Sequence, residues 1–197
     1  MFTGIVEEIA IVKNIAREKE NIHLTVSCSF VNELKIDQSV LHNGICLTVV
    51  AIENETFTVT AIKETIDVTT IGQWKIGQEI NVERGMLANA RLDGHIVQGH
   101  VDTVGRCVSI EDADGSTYYG FEFDKNVKHT TISKGSITID GTSLTVVDSG
   151  INTFSVAIIP YTKEHTIFKH YEVGQVVNLE FDVIGKYVEK LLHIRSI

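Results

Sequence analysis

The sequence predicts an all-β protein made of two homologous small domains in tandem, with one helix at the C-terminal end. Three observations support this prediction: an internal repeat, a series of short strand-like segments in each copy, and one amphipathic segment after the second copy. The chain has 197 residues and a hydrophobic content of 43%, which is enough to form two small cores.

The repeat is visible in a phrase that occurs twice, as "NGICLTVV" from Asn43 and as "DGTSLTVV" from Asp140. Residues 39–83 align without a gap with residues 136–180, at an offset of 97, and 16 of the 45 positions are identical. The beginnings of the two copies also align, "TGIVEEIAIVKNI" against "QGHVDTVGRCVSI". A repeat of this length indicates duplicated structural units. We therefore predict a first domain over residues 1–92, a second over 93–183 and a helix over 184–197.

Each copy consists of short segments rich in Val, Ile, Thr and Phe, such as "ICLTVVAI", "TFTVTAI" and "SLTVV". Turn signals separate them, among them Asn43-Gly44, Asp114-Gly115 and Asp140-Gly141. Short strands at this spacing are typical of a small barrel or sandwich. Short segments after "IKETIDVTT" and "IPYTKEHTI" are predicted to form single helical turns.

The last segment, "VIGKYVEKLLHIRSI", has the period of a helix. Lys186, Glu189 and Lys190 share one face. The other face carries Ile184, Tyr187, Val188, Leu191 and Leu192. Two interpretations are open: this apolar face packs on the barrel of the same chain, or it joins subunits, because the segment has no counterpart after the first copy.

Composition argues against several classes of protein. The net charge of −9 and the lack of a basic cluster argue against nucleic acid as a partner. The start "MFTGIVEEIA" has no signal-peptide pattern, and no apolar run approaches the roughly 18 residues that span a membrane. The eight histidines show no metal-ligand spacing. Three scattered cysteines without a C-x-x-C pair fit a reducing, cytoplasmic setting.

The duplication of the domain predicts two similar binding sites, which could bind two copies of one ligand. If the sites face each other, a reaction between two identical molecules gains from near-attack geometry. The copies differ at one reactive position, where Cys46 stands opposite Ser143. This difference would let two identical ligand molecules take different roles in the reaction, one as donor and the other as acceptor. The alternative is that the duplication serves structure alone.

Several phrases in order resemble the riboflavin synthase family, alpha-chain type, and the resemblance covers residues 1–192. They are "MFTGIVE", "NGICLTV", "GHIVQGHVD", "KGSITIDGTSLTV", "IPYT" and "KYVEKL". The resemblance implies two six-stranded antiparallel Greek-key barrels and a homotrimer built around the C-terminal helices. It also implies a cofactor-free dismutation of two 6,7-dimethyl-8-ribityllumazine molecules to riboflavin and 5-amino-6-ribitylamino-uracil. The site would lie between barrels of neighbouring subunits, and association with a lumazine synthase is compatible with the family.

The resemblance also implies two matching half-sites for the substrate. In the first barrel these are Phe2, Gly4, Ile5, Val6, Cys46, Leu47, Thr48, Thr60, Ala61, Ile62, Lys63, Glu64 and Thr65. In the second barrel they are Gly99, His100, Val101, Lys134, Ser143, Leu144, Thr145, Ile158, Ile159, Pro160, Tyr161, Thr162 and Lys163. Three positions depart from the family pattern: Asp93, Gln98 and Tyr161.

The reaction needs a proton to leave one lumazine methyl group and a nucleophile to add to C7 of the other lumazine. His100 is the candidate for proton transfer, because histidine exchanges protons readily near neutral pH. Cys46 is a candidate nucleophile or hydrogen-bonding group, with Ser143 as its partner hydroxyl; water or a ribityl hydroxyl are alternatives. Ser39 and Asp182 complete the predicted catalytic set. Strand alternation would place His42 beside Cys46, although the Asn43-Gly44 turn interrupts that pattern.

Two competing functions remain. A non-catalytic carrier of flavin or lumazine shares this fold, but the presence of Cys46, His100 and Ser143 together favours an enzyme. A flavin-binding barrel of a reductase would need a dinucleotide domain with a Gly-rich phosphate loop, and the chain has neither that motif nor the residues for such a domain.

Overall fold

The structure, a computed structural model, describes residues 1–195 and is built mainly from β-strands, with three α-helices and three short 3₁₀ helices. The strands are β1 (Glu8–Glu18), β2 (Asn21–Ser27), β3 (Ser39–His42), β4 (Ile45–Glu53), β5 (Thr56–Ala61), β6 (Glu79–Arg84), β7 (Thr103–Ala113), β8 (Ser116–Phe123), β9 (Ser136–Ile139), β10 (Thr142–Ser149), β11 (Thr153–Ile158) and β12 (Val176–Phe181). The helices are α1 (Lys63–Val68), α2 (Pro160–His165) and α3 (Val183–Arg195).

The strands form two closed barrels. The first barrel has the order β1-β2-β5-β4-β3-β6, and the second repeats it as β7-β8-β11-β10-β9-β12. The pairings are antiparallel. Because β2 pairs with β5 and β3 pairs with β6, the connections cross the barrel ends as in a Greek key. The predicted pair of six-stranded barrels is confirmed, and closure leaves no free sheet edge in either.

Strand alternation decides which side chains form each core. In β2, Ile22, Leu24 and Val26 are buried inside the first barrel, while the residues between them face outward. In the second barrel, Tyr119 and Phe121 of β8 occupy the corresponding interior. The outer faces are therefore free to carry polar groups and a ligand.

The two barrels meet through buried asparagines at equivalent positions of the repeat. The Asn81 Nδ2 group donates to the carbonyl of Asp140 (2.8 Å), and the Asn178 Nδ2 group donates to the carbonyl of Asn43 (2.9 Å). Each of these bonds joins one barrel to a strand turn of the other. The repeats are thus related by an approximate two-fold axis, which also sets how the two sites face each other.

One buried carboxyl at this interface leads to a pH-dependent prediction. Asp140 accepts from the Asn178 N–H (2.8 Å) and from the Tyr171 hydroxyl, and burial raises the pKa of its carboxyl to about 7. Between pH 4 and 7 the folded chain therefore holds a proton that the unfolded chain has lost, so this group lowers the free energy of unfolding as pH rises. Asp140→Asn introduces the residue found at the equivalent position of the first repeat, Asn43. In this variant the decrease in the free energy of unfolding between pH 5 and 7 should be smaller by on the order of 2 kcal/mol.

Guanidinium unfolding at several pH values measures this effect. Asp148→Asn removes a surface carboxylate and so controls for the change in net charge. Parallel pH curves for wild type and Asp140→Asn would show that the Asp140 carboxyl does not titrate in the folded protein in this range.

Helix α3 packs on the second barrel through its polar face. The Lys186 Nζ group donates to Asp102 (2.6 Å), and the Glu189 carboxylate contacts the His129 ring (2.9 Å). The apolar face points away from the barrel and is exposed at Ile184, Tyr187, Val188, Leu191 and Leu192. Of the two interpretations, packing of the apolar face on the chain's own barrel is therefore wrong.

The predicted domain limits at 92/93 and 183/184 remain predictions, although the strands of the two barrels fall on either side of the first one. The predicted helix ran to residue 197, and its last two residues lie outside the described residues. Single 3₁₀ turns, Thr70–Gln73 and Ile167–His170, form where the sequence predicted helical turns, at the ends of residues 62–70 and 159–167. The short helices α1 and α2 lie inside those two segments and were not predicted. Within residues 1–195, no helix combines the length and apolar character needed to cross a membrane.

Candidate functional site

Two irregular segments cross between the barrels and organise the site. We call residues 1–7 the amino-terminal arm and residues 94–102 the linker arm. The arms pair antiparallel at one point, where the Phe2 N–H donates to the Val97 carbonyl (2.9 Å) and the Val97 N–H donates to the Phe2 carbonyl (3.1 Å). Both side chains are buried in a small cluster with Leu41 and Cys46. Apart from this single bridge, residues 94–102 do not belong to a strand.

Each arm reaches the strand turn of the other barrel. The Cys46 N–H donates to the Gly99 carbonyl of the linker arm (2.9 Å), and the Ser143 N–H donates to the Gly4 carbonyl of the amino-terminal arm (2.7 Å). Sequence analysis grouped Gly4 with Cys46 and Gly99 with Ser143. The structure groups them the other way, because the arms cross the approximate two-fold axis as they pair. The exposed His100 directly follows Gly99, so the linker arm carries it close to the Cys46 backbone of the first barrel.

A row of hydroxyl groups crosses the outer face of the first barrel. Ser39 pairs with Thr48 across β3 and β4, and Thr60 follows on β5, where its hydroxyl contacts the ring of His23 (2.9 Å). Cys46 lies on the same face of β4 as Thr48. This face offers several hydrogen-bonding groups to a flat polar ligand.

Some predicted contact residues have side chains that face a barrel interior. These are Leu47, Ala61 and Ile158, all buried in the two cores. A ligand on the outer face could reach these three residues only through their backbone atoms. Around them, Ile62 and Ile159 are exposed, and they precede the predicted contact residues Lys63–Thr65 and Pro160–Lys163 of α1 and α2.

The outer face of the second barrel differs in chemistry. Ser143 and Thr145 replace Cys46 and Thr48, and Leu144 is half-buried against the second core. Lys134 lies in the turn before β9 with a positive φ of 65°, and its N–H donates to the carbonyl of Val146 (2.8 Å). The Lys163 ammonium pairs with Asp112 at 3.5 Å.

His95 is a residue that sequence analysis missed. Its Nδ1 lies 2.6 Å from the Ser143 hydroxyl and its Nε2 lies 3.2 Å from the Thr138 hydroxyl. Burial lowers the pKa of the ring, so the neutral imidazole donates through one nitrogen and accepts through the other. His95 thereby orients the Ser143 hydroxyl. The repeat gave no signal for this role, because the aligned position in the first copy would precede Met1.

Cys46 is the cysteine best placed for chemistry. Cys107 is buried inside the second barrel, and the pKa of the Cys28 thiol is raised to about 12, chiefly by burial and next by Glu8. Both thiols are therefore held in the unreactive protonated form. Cys46 instead lies half-exposed on the outer face, under the linker arm.

His42 does not serve as a cation for Cys46. It is buried inside the first barrel, where its Nδ1 lies 3.0 Å from the Val40 carbonyl and its ring packs near Phe57. Burial lowers its pKa to about 4, so the ring is neutral at pH 7. Among the residues the structure describes, its Nε2 has no hydrogen-bond partner.

The remaining catalytic candidates have different surroundings. Asp182 accepts from the Ile184 N–H (2.9 Å), which makes it the cap of α3, and its charge acts on His95. Ser39 opens into a cavity of about 810 Å³ that is also lined by Thr3 and Ile5. A second cavity, of about 530 Å³ at the barrel interface, is lined by no residue of the predicted site.

These features define a tandem barrel protein whose two outer faces, each bordered by an arm, are candidate small-molecule sites. The lumazine binding domain family matches residues 3–85 and again 98–182. The chain is 40% identical to the riboflavin synthase of Actinobacillus pleuropneumoniae over 98% of this chain and 90% of that one. It is 38% identical to the riboflavin synthase of Schizosaccharomyces pombe over 98% and 94% of the two chains. The chain belongs to the riboflavin synthase family.

Among solved structures, LumP complexed with 6,7-dimethyl-8-(1'-D-ribityl) lumazine superposes with a TM-score of 0.83 at 21% identity, over 91% of this chain and 98% of that one. LumP complexed with riboflavin has a TM-score of 0.84, also at 21% identity, over 92% and 99%. At this level of identity the likeness confirms the fold.

Proposed function

We propose that this protein is a riboflavin synthase that acts on two molecules of 6,7-dimethyl-8-ribityllumazine. One lumazine transfers a four-carbon unit to the other, which yields riboflavin and 5-amino-6-ribitylamino-uracil. The observation that carries the proposal is the pair of equivalent outer-face sites, one with Cys46 beside the arm that bears His100, the other with Ser143 held by His95.

The surroundings of each residue suggest its role in the reaction. His100, exposed on the linker arm, exchanges the proton of the lumazine methyl group. The Cys46 thiol and the Ser143 hydroxyl face the two ligands as nucleophile or hydrogen-bond donor, while Thr48 and Ser39 bind the polar ring edge. Asp182 acts through His95 and the start of α3. The backbone of the arms and of β5 and β11 supplies the remaining contacts.

Assembly belongs to the same proposal. The exposed apolar face of α3 suits burial against the same helix of two further copies, which gives a homotrimer. In such a trimer, the site of one copy would lie against a barrel of its neighbour, which would bring the two lumazines together. We further propose a cytoplasmic enzyme that needs no cofactor, and one that can associate with a lumazine synthase.

Turnover of the substrate alone tests the function. The purified chain, given 6,7-dimethyl-8-ribityllumazine without metal or nucleotide, should form riboflavin, followed by its visible absorbance and fluorescence. His100→Ala should lower kcat by about a hundredfold or more, since a positioned proton-transfer group contributes 10²–10⁴-fold. His170→Ala, which removes an exposed ring paired with Glu79, is the matched control.

Cys46→Ser and Cys28→Ser form the second pair, and only the first should reduce turnover. Tight binding of lumazine by wild type without any riboflavin would instead identify a carrier. Equal loss in the His100 and His170 variants would remove His100 from the chemistry.

A further inference from the structure

Two buried carboxylates remain outside the roles assigned so far. Glu83 of β6 and Glu180 of β12 occupy equivalent positions of the repeat and are only 4% and 2% exposed. An ionised group so far from water is costly unless several donors surround it. The pKa of both carboxyls is raised, mainly by burial.

Glu180 directs its hydrogen bonds to the linker arm. One carboxylate oxygen accepts from the Gln98 N–H (2.8 Å), and the other accepts from the Gly99 N–H (2.9 Å) and the His100 N–H (3.1 Å). Three consecutive backbone groups thus converge on one side chain. Such charge-assisted bonds are roughly twice as strong as neutral ones.

Glu83 holds the amino-terminal arm in the same way. Its carboxylate accepts from the Thr3 N–H (2.7 Å), the Thr3 hydroxyl (2.8 Å) and the Gly4 N–H (3.0 Å). The number of bonds and the degree of burial match those of Glu180. We call each of these carboxylates, together with the hydrogen bonds it accepts, a clasp. The Glu83 clasp holds the amino-terminal arm, and the Glu180 clasp holds the linker arm.

The linker arm has a second attachment just after His100. Asp102 accepts from the Phe181 N–H (2.9 Å) and from the Lys186 ammonium of α3 (2.6 Å). His100 is therefore held between Glu180 on one side and Asp102 on the other. Its backbone is connected through these groups to the last strand and to the C-terminal helix.

The clasps are alike, but the arms carry different side chains. The linker arm brings His100 to Cys46, through the bond from the Cys46 N–H to the Gly99 carbonyl. The first six residues of the amino-terminal arm carry no side chain that exchanges protons near neutral pH. Loss of one clasp should therefore move the proton-transfer group, and loss of the other should not.

We propose that Glu180 is a positioning residue for the dismutation, which fixes His100 over the first-barrel site by holding the backbone of residues 98–100. This inference rests on the proposed function. Proton transfer requires the ring to lie within hydrogen-bond reach of the methyl group, and small displacements of a reacting group are costly. Glu180→Gln keeps the shape but turns one acceptor into a donor that faces the arm amides.

The test compares Glu180→Gln with Glu83→Gln, which breaks the same number of hydrogen bonds. Both variants should lower the midpoint of thermal unfolding by similar amounts. Glu180→Gln should lower kcat at least tenfold more than Glu83→Gln, with KM for the lumazine changed less than threefold. Glu180→Asp, which keeps the charge on a shorter side chain, should recover part of the lost kcat and serves as the test variant if Glu180→Gln does not fold.

A second readout does not depend on turnover. Displacement of the linker arm uncovers Cys46, so iodoacetamide should alkylate Cys46 faster in Glu180→Gln than in wild type or Glu83→Gln, as resolved by peptide mass spectrometry. Buried Cys107 supplies the internal control.

Equal loss of kcat in the two Gln variants, or an unchanged Cys46 alkylation rate in Glu180→Gln, would overturn the positioning role. Wild type without turnover would contradict the proposed function instead, and the alkylation rates would still decide whether Glu180 holds the arm.

Discussion

Gly99→Ala is expected to destabilise the protein by about 2–5 kcal/mol and to abolish most of its turnover. Gly99 has a positive φ of 80°, which costs an alanine about 1–2 kcal/mol. A Cβ at this position would also overlap the Cys46 Cβ and lie 2.5 Å from a Leu41 methyl group, and such overpacking costs about 1–3 kcal/mol. The linker arm would have to move away from β4 and carry His100 with it.

Gly115→Ala separates the cost of the positive φ from the cost of the steric overlap. Gly115 has a similar φ of 87°, but an added Cβ would have no neighbour within 4 Å. Denaturant unfolding followed by circular dichroism, with turnover on the same samples, should show a smaller loss of stability and wild-type turnover for this control. If Gly99→Ala is no more harmful than Gly115→Ala, the linker arm does not pack on Cys46 as described.

If α3 joins the proposed trimer, Leu191→Lys is expected to yield monomers and to lower turnover more than a hundredfold. Leu191 is 60% exposed on the apolar face of α3, and a lysine there would be buried without a partner in a packed trimer. The barrels should keep their stability, because within residues 1–195 this face of the helix lies away from them. Analytical ultracentrifugation of the samples used for turnover measures both effects.

Lys190→Gln is the matched control, since Lys190 is exposed on the neighbouring position of the same helix. It should remain trimeric and active. A monomeric Leu191→Lys with wild-type turnover would mean that one chain contains the whole site, and a trimeric variant would mean that α3 is not the joining surface.

Much of the fold could be predicted from local patterns. The repeat predicted two like domains, and the alternation in segments such as residues 45–53 predicted strands whose Val and Leu residues face a core. These signals are strong because period-2 burial is a property of neighbours in the chain. Closure into barrels came from the family resemblance, and the observed strand order agrees with it.

The site was only partly predictable. Cys46, Ser143 and His100 stood out because they break the repeat, and all three lie where the arms meet the barrels. His95 was missed, since nothing local links it to Ser143, which is 48 residues away in sequence. Its role depends on the path of the linker arm across the approximate two-fold axis.

The sequence by itself determined the duplication, the barrel-forming strands, the terminal helix and the chemical difference between Cys46 and Ser143. Only the tertiary structure decided which arm completes which site and which face of α3 meets the barrel. The physical reason is that these choices depend on long-range partners. The pairing of Phe2 with Val97 sends each arm to the opposite barrel, and the bond between Lys186 and Asp102 turns the polar face of the helix inward.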